Sequence, residues 1–288
     1  MTDSNFPKVF VVILNFNGAL TLPACLTSVF QSDYPNFEIV IVDNDSRDGS
    51  FEQAKDKFSR CHFIKNSENI GFSKGNNVGI RFALEKFADF VFVLNNDTIV
   101  EKATLSSLVK VAISNSDAGI ISPLIMNKNN ASVWFSGGKI LWHKMKTLHL
   151  TEKTSGNSYS SQYLSGCAML IKKEVFKKIG LFDERFFLYY EDTDFSLRAS
   201  KAGFSLMIAP IAHIQHLEQS TGNNSKIYWL VLSGLIFFKI HTSSKQRVWL
   251  FLYINLRKIK NFYKIHFTND LTALEVQRAY RDFKKLPN

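Results

Sequence analysis

Residues 8–18 read KVFVVILNFNG and residues 38–49 read EIVIVDNDSRDG. Each holds a continuous apolar, mostly β-branched run that stops at a polar residue, Asn15 in the first and Asp43 in the second. A strand with one face in water alternates apolar and polar side chains. A strand apolar at every position has both faces covered, as in a parallel sheet lying between helices. A third such run, Phe90 to Leu94, closes at Asn95, and Cys61 to Lys65 reads as a shorter strand. The segments between them, Leu22 to Phe30, Asp48 to Phe58 and Gly75 to Phe87, read as helices. The alternation predicts an α/β fold: a mixed, mostly parallel sheet with helices on both faces. Right-handed crossovers then bring the strand C-termini to one edge, with Asn15, Asp43 and Asp97 along it. Open α/β sheets bind ligands at that edge.

Beyond the third run the pattern changes. Residues 127–161 are rich in Asn, Ser, Lys and Thr, with scattered Trp134, Phe135, Trp142 and Leu148, and read as an irregular, hairpin-bearing excursion. Gly166 to Ile171 then reads as a strand, Lys173 to Ile179 and roughly Asp192 to Ala202 as helices, and Ser205 to Ile208 as a strand. Two helical periods follow, Ile227 to Ile240 and Arg247 to His266. The expected division is an α/β domain over residues 1–225 and a helical, basic region over 226–288.

Charge separates these regions. The chain has a net charge of +10, and residues 226–288 carry 12 basic against 3 acidic residues, so +9 lies there. Between Arg247 and Lys264 the basic residues interleave with Trp249, Phe251, Leu252, Leu256, Ile259, Phe262 and Tyr263. Basic residues beside an apolar stripe suit an anionic membrane surface; a helix packed on the main domain with a solvated basic side is the competing reading. Without a groove-reading motif, nucleic acid is not expected as a partner. No apolar run reaches 18 residues and the N-terminus has no signal-peptide pattern, so a peripheral protein at the inner, cytoplasmic face of the membrane is expected. Three cysteines, Cys25, Cys61 and Cys167, lack metal-ligand spacing and read as buried free thiols of a reducing compartment.

The strongest chemical signal is residues 186–203, FFLYYEDTDFSLRASKAG. Here Glu191, Asp192 and Asp194 lie between an aromatic run and Arg198. Aromatic walls exclude water, and carboxylates beside them have shifted proton affinities. Arg198 is placed to anchor the acidic loop. Asp43, directly after a buried strand, can accept hydrogen bonds from a ribose or base edge, and Asn44, Ser46, Asp48 and Ser50 form a turn and helix start behind it. In NIGFSKGNN, residues 69–77, Gly71 and Gly75 allow close backbone approach, and Lys74 offers positive charge to a phosphate. Asp97, in Asn95-Asn96-Asp97, is an oxygen ligand suited to Mg²⁺ or Mn²⁺. His213 and His216, three apart in an extended segment, point in different directions, so at most one serves a metal. The absence of GxGxxG after the first strand and of a Walker lysine argues against dinucleotide and ATP sites of those kinds.

Taken in order, VVILNFNG, IVIVDNDSRDGS, NIGFSKGNN, VLNNDT, the long segment from Tyr163 to Gly203, and P-x-A-x-I-x-H-x-x-x-S ending at Ser220 resemble the inverting glycosyltransferases of family 2. These have the GT-A type of Rossmann-like fold. The set is most similar to the rhamnosyltransferase-like branch that builds bacterial surface polysaccharides, and the resemblance spans about residues 8–220. It implies a nucleoside-diphosphate sugar donor, dTDP-rhamnose or a UDP-sugar, and an oligosaccharide acceptor, lipid-linked in this branch. It implies that Asn15, Phe16, Asp43, Asn44 and Ser46 line the nucleotide site, with Gly71, Lys74, Asn77, Asn95 and Asn96. Gly166 would border the donor sugar. Asp97 and His216 would hold Mn²⁺ or Mg²⁺. Asp192 would be the general base with Glu191 beside it, and Asp183, Glu184 and Tyr190 would meet the acceptor. Two positions depart from the branch: Asn96 stands where proline is usual, and Leu232-Ser233 where an Arg-Asn pair is usual.

The residues suit that chemistry independently. An attacking hydroxyl must lose a proton, which asks for a poised carboxylate. A leaving diphosphate gathers negative charge, which asks for a divalent cation. The competing readings are a nucleotidyltransferase, which would want a basic loop after the first strand, and a carbohydrate-binding or scaffold protein with a degenerate transferase fold.

Overall fold

The computed structural model describes residues 6–128, 132–152, 155–217, 224–268 and 270–286. Ser220 therefore lies outside the described residues. The three apolar runs form β1 (Val9–Asn15), β2 (Phe37–Asp43) and β4 (Phe90–Asn95), with β3 (His62–Lys65) between the last two. They alternate with α1 (Leu22–Phe30), α2 (Ser50–Lys57) and α3 (Phe72–Glu85). Then follow β5 (Thr98–Val100), α4 (Thr104–Ser114), β6 (Ala118–Asn127), β7 (Val133–Phe135), β8 (Gly138–Leu141), β9 (Lys146–His149) and β10 (Tyr159–Ser160). The last α/β part contains β11 (Ala168–Lys172), α5 (Lys173–Ile179), α6 (Glu191–Lys201) and β12 (Ser205–His216). The C-terminal helices are α7 (Asn224–His241), α8 (Ser244–Phe267) and α9 (Leu271–Phe283).

The main sheet has the order β10-β12-β6-β11-β4-β1-β2-β3, with β5 on β12 and β7 on β6. Pairs β1–β2, β1–β4, β2–β3 and β6–β12 are parallel, whereas β11 runs antiparallel to both β4 and β6. The long strands other than β11 thus share one direction, and the ends of β1, β2, β4, β6 and β12 meet at one edge. Val9 to Ile13, Val40 to Val42 and Val91 to Val93 are fully buried, as strands covered on both faces must be.

Glycines set how closely α3 packs on the sheet. A Cβ on Gly79 would lie 2.5 Å from Val12 Cγ1, and one on Gly75 2.5 Å from Leu14 Cδ1. The expected close approach at Gly75 is therefore between helix and sheet. At the start of α3, Gly71 has φ +85°, and an added Cβ there would meet the Phe187 carbonyl at 2.6 Å. Only glycine fits that left-handed, crowded position.

β12 is three times the length expected from Ser205 to Ile208. Its pairing with β6 is irregular between Ala209 and His213, where Pro210 lies, and resumes to His216 opposite Asn127. A proline cannot donate to a ladder, so the strand bulges there and continues beyond it. The excursion contains the expected hairpin, β8 paired antiparallel with β9. It docks on the C-terminal helices: Trp249 Nε1 of α8 donates to the His143 carbonyl at 2.9 Å, and Trp142 stacks on Phe237 of α7. α7 adds Tyr228, Leu232, Ile236, Phe237 and Phe238 to the apolar cluster that fills the sheet core. All three cysteines are buried and free, and burial pushes the Cys25 and Cys61 thiols up to about 12. Among the described residues no helix is long and apolar enough to cross a membrane.

Candidate active site

A cavity of about 360 Å³ opens at the strand-end edge. Its walls bring together Asn95, Asp97, Gly166, Tyr190, Glu191, Asp192 and His216 from four separate stretches of chain. The fold explains the convergence. Asp97 follows β4, and His216 ends β12, whose pairing with β5 puts His216 opposite Thr98. The Leu217 amide donates to the Asp97 carbonyl at 2.8 Å, and His216 Nε2 stands 3.3 Å from Asp97 Oδ2. The second carboxylate oxygen, Asp97 Oδ1, is buried without a hydrogen-bond partner. Such an atom carries a desolvation cost unless a ligand satisfies it. An unsatisfied carboxylate oxygen beside an imidazole is a donor pair that fits Mn²⁺ or Mg²⁺, ions that take few protein ligands when substrate phosphates complete the shell. Among the described residues no group of three His, Cys, Asp or Glu side chains is placed to hold a metal. His213 points elsewhere, toward Glu101 at 3.5 Å.

Asp192 sits in the first turn of α6. Its Oδ2 accepts from the Gly166 amide at 2.9 Å, and its Oδ1 accepts from the Thr193 amide at 2.6 Å. Burial nevertheless raises its carboxyl above the ordinary aspartate value, against these hydrogen bonds and the nearby His149. Glu191 is more deeply buried, with Oε2 unpartnered, and burial followed by the Asp192 charge holds its carboxyl well above the usual range. Both carboxyls are thus raised, that of Glu191 the further, and neighbouring acids held apart in this way can take different roles. Before them, Tyr189 and Tyr190 both adopt left-handed backbone, φ +69° and +65°. Two successive non-glycine residues in that region store strain next to reactive groups.

Asp194 and Arg198 brace this helix. Asp194 is almost fully buried, accepts from Arg198 Nε at 2.7 Å and stands 2.7 Å from His241 Nε2 of α7. Arg198 also donates to the carbonyls of Ile179 and Leu181, which is the anchoring role read from sequence. Ser233, at one of the departing positions, donates to the Leu188 carbonyl at 2.8 Å and ties α7 to the same loop.

Several residues expected to touch substrate are engaged with the protein. Asp43 is fully buried and accepts from Asn15 Nδ2, the Ser46 amide and Ser46 Oγ at 2.6–2.8 Å. Asn15 Nδ2 also faces Ser46 and Ser50, and its Oδ1 accepts from Asn96 at 2.8 Å. This network joins the ends of β1, β2 and β4. Asn44 donates to the Gly71 carbonyl and so fixes the glycine loop to β2. Asn77 clamps the backbone of Phe182 in both directions and reaches Glu184, which is also paired with Arg81. Asp183 pairs with Arg185. Phe16 and Lys74 are exposed.

Other wall residues carry no local sequence signal. His149, at the end of β9, packs edge-on against Trp134 and Phe135, and Trp134 packs in the same way against His216. Packed among these rings, His149 is held toward its neutral form. These residues belong to the excursion, and only the tertiary fold brings them to Asp192.

Comparison with known proteins places this arrangement. The chain is 29% identical over 194 residues to the low-salt glycan biosynthesis hexosyltransferase Agl10 of Haloferax volcanii, covering 65% of this chain and 62% of that protein. It is 25% identical over 239 residues to the N-acetylglucosaminyl-diphospho-decaprenol L-rhamnosyltransferase of Mycobacterium tuberculosis, covering 74% of this chain and 78% of the relative. The crystal structure of GalNAc-T7 with UDP, GalNAc and Mn²⁺ superposes with a TM-score of 0.68 at 18% identity, over 98% of this chain and 55% of that one. This likeness shows the fold, the GT-A arrangement of a mixed, mostly parallel sheet between helices. The model of the family described as Glycosyl transferase family 2 matches residues 10–180, more than half of the chain, and the chain belongs to that family.

Proposed function

We propose that this protein is an inverting, metal-dependent glycosyltransferase that moves a sugar from a nucleoside diphosphate to a hydroxyl of a growing, lipid-linked surface glycan. The observation that carries the reading is the single cavity in which Asp192, bonded to Gly166, faces the Asp97–His216 pair. Inverting transfer is one in-line displacement. The acceptor oxygen bonds to the anomeric carbon, the bond to the diphosphate breaks, and Asp192 takes the hydroxyl proton. Gly166 and Thr193 orient that carboxylate, and the aromatic walls keep water from competing for the donor. Glu191, whose burial makes its carboxyl hold the proton more tightly than an ordinary glutamate, limits the negative charge beside the leaving diphosphate. A divalent cation held by Asp97 and His216 would supply positive charge for that leaving group. Phe16 is assigned as the platform for the base, with Asp43 behind it fixing Asn15 and Ser46. The relatives' names speak for hexose or rhamnose transfer and, in one, a diphospho-decaprenol acceptor.

Hydrolysis of UDP- and dTDP-sugars, dTDP-rhamnose included, measured with and without Mn²⁺, tests the activity. One donor should be turned over faster with the metal; no turnover of any donor under either condition would sink the proposal.

The acceptor places the protein at the inner face of the membrane. Val248, Phe251, Leu252, Leu256, Ile259, Phe262 and Tyr263 of α8 are exposed along one helix, among Arg247, Lys260 and Lys264. Each cation near an anionic surface adds about 1 kcal/mol, enough in combination for reversible attachment. The protein is expected to float with anionic vesicles at low salt, and less at high salt as the charge is screened. Replacing Phe251, Ile259 and Phe262 together by Ser should abolish flotation. Equal behaviour of both proteins with every vesicle would make α8 a packing element only.

A further inference from the structure

Thr147, Tyr190 and Leu230 line the catalytic cavity and also a second cavity, of about 270 Å³, between the β8–β9 hairpin and the C-terminal helices. The two volumes abut at these three side chains. Much of the second wall is apolar, with Val231, Leu235 and Phe238 from α7 and Leu250 from α8. Two cations complete it, Lys146 from the hairpin and Arg257 from α8, and no carboxylate lines it. Among the described residues neither cation forms an ion pair with an acid; Arg257 donates to the Tyr253 hydroxyl at 3.1 Å and lies over its ring. Arg257 further lines a groove with Lys260 and Lys264, so the cavity leads on to the basic, exposed side of α8.

We propose that this second cavity binds the phosphate-bearing neck of a lipid-linked acceptor. The inference rests on the transfer reading above and names the part of the protein that meets the carrier. An arginine without an acid partner matches a phosphate in shape and charge, since its planar fork donates two parallel hydrogen bonds. Lys146 adds a second charge from the opposite wall. The apolar residues beside them take the first carbons of the hydrocarbon chain, whose remainder leaves along α8. The sugar end of the same molecule then enters the adjoining cavity, where Asp192 waits. A free phosphate would use the two cations and none of the apolar wall, and a neutral lipid the reverse. The cavity offers both chemistries side by side, which points to a lipid phosphate.

Farnesyl phosphate, below its micellar concentration, is the probe, with farnesol and inorganic phosphate as its two halves. Calorimetric titrations use the full-length protein with Mn²⁺ and saturating UDP or dTDP, so that the nucleotide site is filled. Farnesyl phosphate should bind at least about tenfold more tightly than either half, and the double substitution Arg257→Ala/Lys146→Ala should weaken it by about tenfold or more. Both side chains are exposed, so the fold should survive the change. Equal affinity for inorganic phosphate would reduce the cavity to a plain anion site and overturn the proposal, as would undiminished binding by the double variant. Nucleotide affinity is titrated separately in both proteins: intact nucleotide binding beside a failed lipid titration leaves the transfer reading standing, whereas lipid phosphate binding without nucleotide binding keeps the cavity assignment and removes the transferase.

Discussion

Replacing Asp192 by Asn is expected to lower sugar transfer by about 10²-fold or more while folding and nucleotide affinity persist. The amide keeps the carboxylate's shape and one acceptor oxygen, so it can retain the hydrogen bond from the Thr193 amide and forfeits that from Gly166. Leaving the buried Gly166 amide unpaired costs about 1–3 kcal/mol, less than the stability of a typical domain. What it cannot do is accept the proton. The same carboxylate sets a pH dependence. Burial raises its pKa, and a base acts in its ionised form, so kcat/KM should fall as pH drops through the raised value. The acidic limb should therefore lie above the ordinary aspartate range of about 3.9. A pH–rate profile of wild type beside single-turnover transfer by the variant reads both effects. Near-normal transfer by the Asn variant would move the base elsewhere. Glu191 is then the next candidate, and His149, which burial shifts toward the unprotonated imidazole, is another.

Asp97→Ala is expected to abolish the effect of Mn²⁺ on nucleotide affinity, a loss on the order of 10²-fold at saturating metal. The substitution is clean in structural terms. Asp97 Oδ1 has no partner and Oδ2 faces only His216, while the bond that fixes the loop, from the Leu217 amide, goes to the backbone carbonyl. Alanine thus removes a metal-ligating group and no supporting hydrogen bond. Calorimetry with UDP and dTDP, with and without Mn²⁺, gives the result. Wild-type affinity that ignores the metal, or a variant that responds to it as wild type does, would end the metal assignment.

Much of the fold was legible because its strands are buried on both faces. β1, β2 and β4 are runs that permit no other reading, and α1 and α5 begin and end where their periods do. The middle of the sheet was not legible. β6, AGIISPLIMN, carries Pro123, which ordinarily argues against a central strand. It is tolerated because the partner strand bulges opposite it, at Ala209 to His213, a compensation contributed by residues some 90 positions away. α9 was missed although Asp270 caps it in the usual way, accepting from the Thr272 amide. At the site, Asp97 stands out in sequence because it follows an apolar strand, Asp192 because it opens a helix behind an aromatic run, and His216 through the family resemblance. His149 and Trp134 do not, since nothing adjacent to them in sequence marks the cavity they line. Asn77, which the resemblance assigns to the nucleotide site, exchanges hydrogen bonds with the Phe182 backbone, a contact no sequence pattern shows.

The left-handed pair Tyr189–Tyr190 exchanges backbone strain for side-chain packing. Each residue forgoes roughly 1–2 kcal/mol that glycine would recover at the same backbone angles. At Tyr190 the ring outweighs the backbone: it is buried against Phe237 and Phe238 of α7, and truncating a buried aromatic costs about 3–5 kcal/mol. Glycine there would relieve the chain and still cost stability, and it would remove the ring at the junction of the two cavities, beside Asp192.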